Sequence, residues 1–162
     1  MPWKICDFIK VWQLWFFAEL YFLQALCNVS TGPIIPVTGA VHVWWVGQSG
    51  FLVKWNGKGL LIDPYLSDSI TRAHRGTEEP MDRVSERVVE PLKLSGVDFL
   101  VCSGDTPDRL DPETILPLCA ANPNLRMILP AGIARQADQL LGNASPPMHP
   151  VNAGTFVSID GF

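Results

Sequence analysis

The chain has 162 residues, of which 48% are hydrophobic and 17% charged, a composition typical of one globular domain and not of a disordered protein. Its net charge of −4 disfavours a nucleic-acid-binding protein, because the scattered basic residues would not neutralise a run of phosphates. The four cysteines form no CxxC pair, which disfavours a zinc knuckle and favours a reducing, cytoplasmic compartment.

The N-terminal segment 1–27 is rich in apolar and aromatic side chains. Over Trp3–Leu26 these side chains recur at steps of three and four, which predicts a helix with an aromatic face. Because Asp7 and Glu19 interrupt the stretch, we expect a helix docked on a domain or a partner. A membrane-surface helix and a signal or anchor segment are the alternatives. The next segment, 28–40, contains glycine and prolines and predicts a linker or an extended arm.

Short strands are predicted from Val41 onwards. Two runs rich in valine and aromatic residues, Val41–Val46 and Phe51–Trp55, and the aliphatic run Leu60–Ile62 predict an antiparallel meander. The pair Asn56-Gly57 between the last two runs is a strong hairpin signal. We then expect a polar loop over Asp63–Pro80, whereas residues 81–96 give no clear pattern.

The rest of the chain predicts strand–helix units and therefore a mixed α/β fold. The expected strands are Val97–Cys102, Arg126–Leu129 and Thr155–Ile159. The expected helices run from Pro112 to about Ala121, with Asp111 as the N-cap, and from Ile133 to Leu141, where Gly142 ends the helix. Residues Asn143–Pro150 are expected to form a loop.

Two stretches of the sequence resemble a known family. They read WWVGQSGF at positions 44–51, followed by LIDPYLSDS at 61–69, and VCSGDTPDRLDPET at 101–114. They resemble the opening of metallo-β-lactamase-fold hydrolases, and within that superfamily they are most similar to the branch containing ascorbate-6-phosphate lactonase. Family members place an Asp at the end of a strand and follow a later strand with Ser/Thr-His-x-His-x-Asp-His. For residues 41–162 the resemblance implies half of an αββα sandwich, preceded here by the aromatic N-terminal helix.

The departures from the family motif bear directly on function. The positions of its three metal-binding histidines hold Gly104, Thr106 and Arg109. The resemblance leaves three carboxylates as the remnant of the metal site: Asp108 matches the metal-binding aspartate, Asp105 lies between the first two lost histidines, and Asp63 matches the strand-end Asp. Glycine offers no donor, threonine is a poor zinc ligand and arginine cannot deprotonate, so we expect no metal here. We expect Arg109 to pair with Asp108 or Asp63 instead.

Other metal sites are disfavoured by the sequence. The three histidines are far apart, and we expect a sheet residue (His42), an exposed loop residue (His74) and a residue of a Pro-rich turn (His149). The regular spacing of Asp105, Asp108 and Asp111 is a candidate for a hard cation, but a helix cap and Asx turns are the favoured interpretation.

The resemblance therefore implies a degenerate, truncated family member without metal-dependent hydrolase activity by itself. We expect no cofactor, although the family uses zinc or manganese. One alternative is a metal-dependent hydrolase of a lactone, ester or phosphoester, with its site rebuilt or completed by a second chain. Another is a membrane-surface or partner-binding module that uses residues 1–27. Because half a sandwich exposes an apolar sheet face, we expect a homo-oligomer or a complementing chain as partner, and no nucleic acid.

Overall fold

The computed structural model describes residues 40–78, 81, 83, 85–156, 158 and 159. The predicted N-terminal helix and almost all of the predicted linker lie outside the described residues. The described residues form one six-stranded sheet whose strand order follows the chain order, with short helices in the connections. The predicted mixed α/β fold is confirmed, with a strand meander first and strand–helix units after it.

The first half of the sheet is an antiparallel meander of β1 (His42–Gly47), β2 (Gly50–Trp55) and β3 (Lys58–Ile62). The predicted hairpin at Asn56-Gly57 is confirmed. Asn56 has φ 48° and Gly57 has φ 77°, as a two-residue type I′ turn requires. These two residues let β2 reverse directly into β3.

The second half of the sheet adds three strands parallel to β3. They are β4 (Phe99–Val101), β5 (Arg126–Pro130) and β6 (Met148–Val151). Helix α2 (Pro112–Ala121) joins β4 to β5, and α3 (Ala134–Leu141) joins β5 to β6. Both predicted helices are thus confirmed, and Gly142 at φ 59° ends α3 as expected. Short 3₁₀ turns lie at Pro91–Lys93, Ala131–Ile133 and Gly142–Ala144.

Two predictions near the C-terminus are wrong. The predicted loop Asn143–Pro150 contains most of β6, and the described residues of the predicted strand Thr155–Ile159 are not in a strand. Proline suggested a loop because it cannot donate a ladder hydrogen bond. Pro150 is tolerated here because β6 lies at the edge of the sheet.

The two faces of the sheet differ in burial. On the inner face, side chains such as Leu61, Leu100 and Met127 pack against α2 and α3 in the main hydrophobic core. The outer face of the meander carries the alternating side chains of β1 and β2, which are mostly exposed: Val41, Val43, Trp45, Phe51 and Val53. Strand alternation places every second residue on this side.

The predicted polar loop Asp63–Pro80 is partly wrong. Residues 63–67 are buried, and a short helix α1 (Ser69–Ala73) follows them. The guanidinium of Arg83 makes this burial feasible, because its Nη1 donates to the backbone oxygens of Tyr65 (2.9 Å) and Ser67 (2.7 Å). It also lies over the Tyr65 ring, 4.9 Å from the centroid. Buried backbone oxygens thereby find donors that water would otherwise supply.

Candidate functional site

Asp63 stands at the carboxyl end of β3, where the family resemblance places the strand-end aspartate. Its Oδ1 accepts a hydrogen bond from the backbone N–H of Ser103 (2.7 Å), and its Oδ2 accepts one from the Ser103 hydroxyl (2.6 Å). The Asp63 N–H donates to the oxygen of Val101 in β4 (2.9 Å). Because β3 and β4 are parallel, their carboxyl ends lie side by side, so Ser103, which follows β4, lies against Asp63.

Cys102 lies beside this pair and is fully buried. Burial raises the pKa of its thiol to about 12, and the negative charge of Asp63 adds to the effect. The thiol is therefore protonated at neutral pH and is a poor metal ligand, because cysteine binds metals as the thiolate. In this environment Cys102 is a buried packing residue of the core.

The three positions at which the resemblance leads one to expect histidines, Gly104, Thr106 and Arg109, lie in the loop between β4 and α2. A Cβ built on Gly104 would lie 3.2 Å from Nη1 and 3.5 Å from Cδ of Arg109. The arginine side chain therefore occupies the space beside the first of these positions. Backbone hydrogen bonds from Arg109 (2.8 Å) and Leu110 (2.9 Å) to the oxygen of Thr106 hold the turn in this shape.

The predicted pairing of Arg109 with Asp108 or Asp63 is wrong. The described residues contain no ion pair between Arg109 and either carboxylate, and the Arg109 Nε is buried without a hydrogen-bond partner. Both oxygens of Asp63 already accept hydrogen bonds from Ser103. The turn directs the guanidinium over Gly104 instead.

Asp105 and Asp108 line a cleft of about 1140 Å³ together with residues of α1 and α2. His74, at the end of α1, lies on the same cleft, and Thr106 is exposed at its own position in the loop. The structure thus brings to one cleft two of the three carboxylates that the resemblance assigns to a metal site. Asp63 is not among the residues that line it.

Asp111 joins α1 to α2 at the wall of this cleft. It is the N-cap residue of α2, as predicted, but its side chain makes no cap hydrogen bond. Its carboxylate, 2% exposed, instead accepts hydrogen bonds from the hydroxyls of Thr114 (2.6 Å) and Ser69 (3.1 Å). Thr114 in turn accepts a hydrogen bond from the Leu66 N–H (2.9 Å). An ion pair between Arg72 and Glu113 adds a second link between the two helices.

The other two histidines lie elsewhere. His42 is the predicted sheet residue, stacked on Trp44 at 5.7 Å between ring centroids. It pairs with Lys54 at the end of the sheet opposite Asp63. His149 was predicted in a turn and instead lies in β6, opposite Ile128.

The donor set does not fit the family's metal. Zinc needs about four nitrogen, sulfur or oxygen ligands at roughly 2 Å, and the motif positions here offer a glycine, a threonine hydroxyl and a guanidinium. Within residues 40–159, where the structure describes them, no group of three or more His, Cys, Asp or Glu side chains could hold a metal ion.

Arg83 is a residue of this region that the sequence did not single out. Its side chain is 9% exposed, and it holds the buried segment that follows Asp63. It lies in residues 81–96, which carry no periodic pattern. Its Nη1 bonds to backbone oxygens 16 and 18 residues away, which leave no trace in residue type, and its Nε donates to the nearby oxygen of Ser85 (3.0 Å).

No protein-family model matches the sequence, and no curated protein matches it. Among solved structures, the chain is similar to a fragment (residues 1–254) of diflavin flavoprotein A 5 from Nostoc sp. PCC 7120, with a TM-score of 0.42 and 13% sequence identity. The match covers 73% of this chain and 52% of that one, so the chain spans about half the length of that fragment. None of the helices in the described residues has the length and hydropathy of a membrane span.

Proposed function

We propose that this chain is a metallo-β-lactamase-like domain with a degenerate metal site, and that it has no metal-dependent hydrolase activity by itself. The observation that carries the proposal is the position of Arg109, whose guanidinium lies beside Gly104 where the family has histidines. The sequence resemblance and the contact between Asp63 and Ser103 support the alignment of these residues with the family motif.

The electrostatics of the loop support the loss of the metal. A guanidinium is always protonated and offers no lone pair for coordination. At ~4 Å and an effective dielectric near 20, two unit charges repel by about 4 kcal/mol, and a divalent ion roughly doubles this. Zinc bound at this loop would therefore have to displace Arg109 before it gained any ligand.

Zinc content and zinc affinity of the purified chain test the proposal. The native chain is expected to bind no stoichiometric zinc. A variant carrying Gly104→His, Thr106→His and Arg109→His is expected to gain weak binding, because it restores imidazoles at all three family positions beside Asp108. The matched control carries glutamine at the same three positions and is expected to bind none. Native protein with tight, stoichiometric zinc would overturn the proposal.

A metal-dependent hydrolase, with its site rebuilt or completed by a second chain, is the competing function. Asp105 and Asp108 on one cleft are the feature that favours it. Turnover of a lactone, ester or phosphoester by the purified chain, abolished by a chelator, would support this function instead. A lactone substrate rests on the sequence resemblance to the lactonase branch alone.

A further inference from the structure

The outer face of the meander is a contiguous apolar surface. Val41 and Val43 are each 58% exposed, Trp45 is 50% exposed and Phe51 is 41% exposed. They form one patch because Trp45 pairs with Phe51, and Val43 with Val53, across β1 and β2. A surface of this kind is usually covered by another element or a partner.

The helices α2 and α3 pack on the inner face of the sheet. Ile115 and Leu118 of α2 and Ala137 of α3 belong to the core cluster that includes Leu61 and Leu100. Two consecutive right-handed crossovers between neighbouring parallel strands place their helices on the same side of a sheet. The cover of the outer face therefore has to come from elsewhere.

We propose that residues 3–26 of the same chain dock on the outer face of the meander as an amphipathic helix. In this segment Ile5, Trp12, Phe16 and Leu23 recur at i, i+7, i+11 and i+18, which places them in one stripe along a helix. Such an apolar stripe and an apolar sheet face bury each other, as in any helix-on-sheet layer.

The charges of the segment fit this orientation. It contains four charged residues, and three of them lie well away from the centre of the stripe: Lys4, Asp7 and Lys10. Glu19 is the exception, because it falls toward the edge of the stripe. A helix with this distribution presents the stripe to the sheet and three of its four charged residues to the other side, which also carries Leu14, Phe17 and Tyr21.

The link between residues 3–26 and β1 favours this segment, over a second copy of the chain, as the cover of the outer face. The segment ends 13 residues (27–39) before Ala40, which directly precedes the exposed Val41. Such a link reaches at most roughly 45 Å, which exceeds both the length of β1 (about 20 Å) and that of the helix (about 36 Å). It is therefore long enough for the helix to lie back along the sheet. Docking within one chain proceeds at a high effective concentration, which a second copy lacks in dilute solution.

Hydroxyl-radical footprinting of the native chain tests the proposal without any substitution. After correction for intrinsic reactivity, Trp45 and Phe51 are expected to react at least about fivefold more slowly than Phe156, which is 103% exposed. The protection should persist on dilution to a concentration at which light scattering shows a monomer. Labelling in proportion to the 50% and 41% exposure, or protection that vanishes with a dimer on dilution, would overturn it.

A cysteine pair gives a second, positional test. Phe16→Cys with Val43→Cys, in a chain also carrying Cys6→Ser and Cys27→Ser, should form a disulfide within one chain at a rate independent of protein concentration. The matched control combines Phe16→Cys with Asn143→Cys, an exposed position in the turn after α3, and should form none. Equal rates in the two variants, or dimers in which the substituted position 43 of one chain is linked to that of another, would contradict the proposal. Neither test involves metal, so its result is independent of the proposed function.

Discussion

Ser103 supplies both hydrogen bonds that the buried carboxylate of Asp63 receives at the end of β3. Ser103→Ala removes the hydroxyl bond of 2.6 Å and leaves the backbone bond in place. We expect it to lower the free energy of unfolding by about 1 kcal/mol, because the Asp63 carboxylate loses a hydrogen bond that water at the exposed Ser103 position replaces only in part. Chemical denaturation measures the change. The exposed Ser158→Ala is the control and should stay within about 0.5 kcal/mol of the native chain; equal midpoints for all three proteins would refute this role.

The Cys102 thiol provides a prediction on reactivity. Its pKa is raised by burial, and by the charge of Asp63, from 9.0 to about 12. At pH 8 the thiolate fraction of the folded protein should be roughly 1000-fold lower than that of the unfolded chain, and alkylation should slow accordingly. Peptide mapping after iodoacetamide treatment separates Cys102 from the other cysteines. Rapid native labelling of Cys102 would contradict its described environment.

The raised pKa of Cys102 also predicts that the protein loses stability at alkaline pH. Between pH 9 and about 12 the unfolded thiol ionises while the folded thiol keeps its proton. Stability therefore falls as pH rises through this window, because the unfolded state then binds fewer protons. Cys102→Ala should remove this part of the alkaline loss, although its smaller side chain also leaves a cavity. Equal slopes of unfolding free energy against pH in the two proteins would exclude the effect.

At the scale of elements, the hairpin between β2 and β3 depends on backbone conformation. A Cβ on Gly57 would meet nothing within 4 Å, yet its φ of 77° is left-handed. Gly57→Ala should therefore cost about 1 kcal/mol from the backbone alone. Gly132→Ala is a matched control with equally open space but no left-handed φ, and should be neutral or slightly stabilising. Thermal unfolding distinguishes them; equal effects would mean that φ at Gly57 does not matter.

Asn122 joins the end of α2 to the approach of β4. Its Oδ1 accepts a hydrogen bond from the Val97 N–H (3.0 Å), and its Nδ2 donates to the oxygens of Leu94 (2.8 Å) and Leu118 (2.9 Å). Asn122→Ala should cost about 2–4 kcal/mol, since buried backbone groups lose their partner. The exposed Asn124→Ala is the control and should change the denaturation midpoint little. A small loss for Asn122→Ala would mean that water takes over its hydrogen bonds.

The elements that the sequence predicted well are those with local signals. The Asn56-Gly57 turn, Pro112 at the start of α2 and Gly142 at the end of α3 are each determined by a few neighbouring residues. β6 was missed because an edge strand tolerates Pro150, a fact about its place in the sheet. Likewise, the family resemblance grouped Asp63 with Asp105 and Asp108, whereas Asp63 bonds to Ser103 and does not line their cleft, and the resemblance did not give the direction of Arg109. The direction of the Arg109 side chain depends on tertiary hydrogen bonds, because both carboxylate oxygens of Asp63 already accept hydrogen bonds from Ser103.

At the scale of the whole molecule, the core explains why stability should not depend on metal. The buried cluster joins the inner sheet face to α2 and α3 through aliphatic side chains and contains no cluster of charged groups. Folding is then expected to gain its free energy from apolar burial. The homo-oligomeric or complemented state expected from the exposed sheet face is the alternative to docking of residues 3–26 on that face, and a cytoplasmic location stays a proposal.

This expectation can be measured directly by thermal unfolding with a chelator or with added zinc. The native Tm should move by less than about 1 °C in either condition, since a ligand stabilises only a protein whose folded state binds it. The variant with histidine at positions 104, 106 and 109 should respond differently. With zinc at about 100 times its Kd it should gain about 2.7 kcal/mol, or roughly 5–10 °C in Tm for a chain of this size. A native Tm that falls by several degrees in chelator would show that residues of this chain hold a structural metal after all.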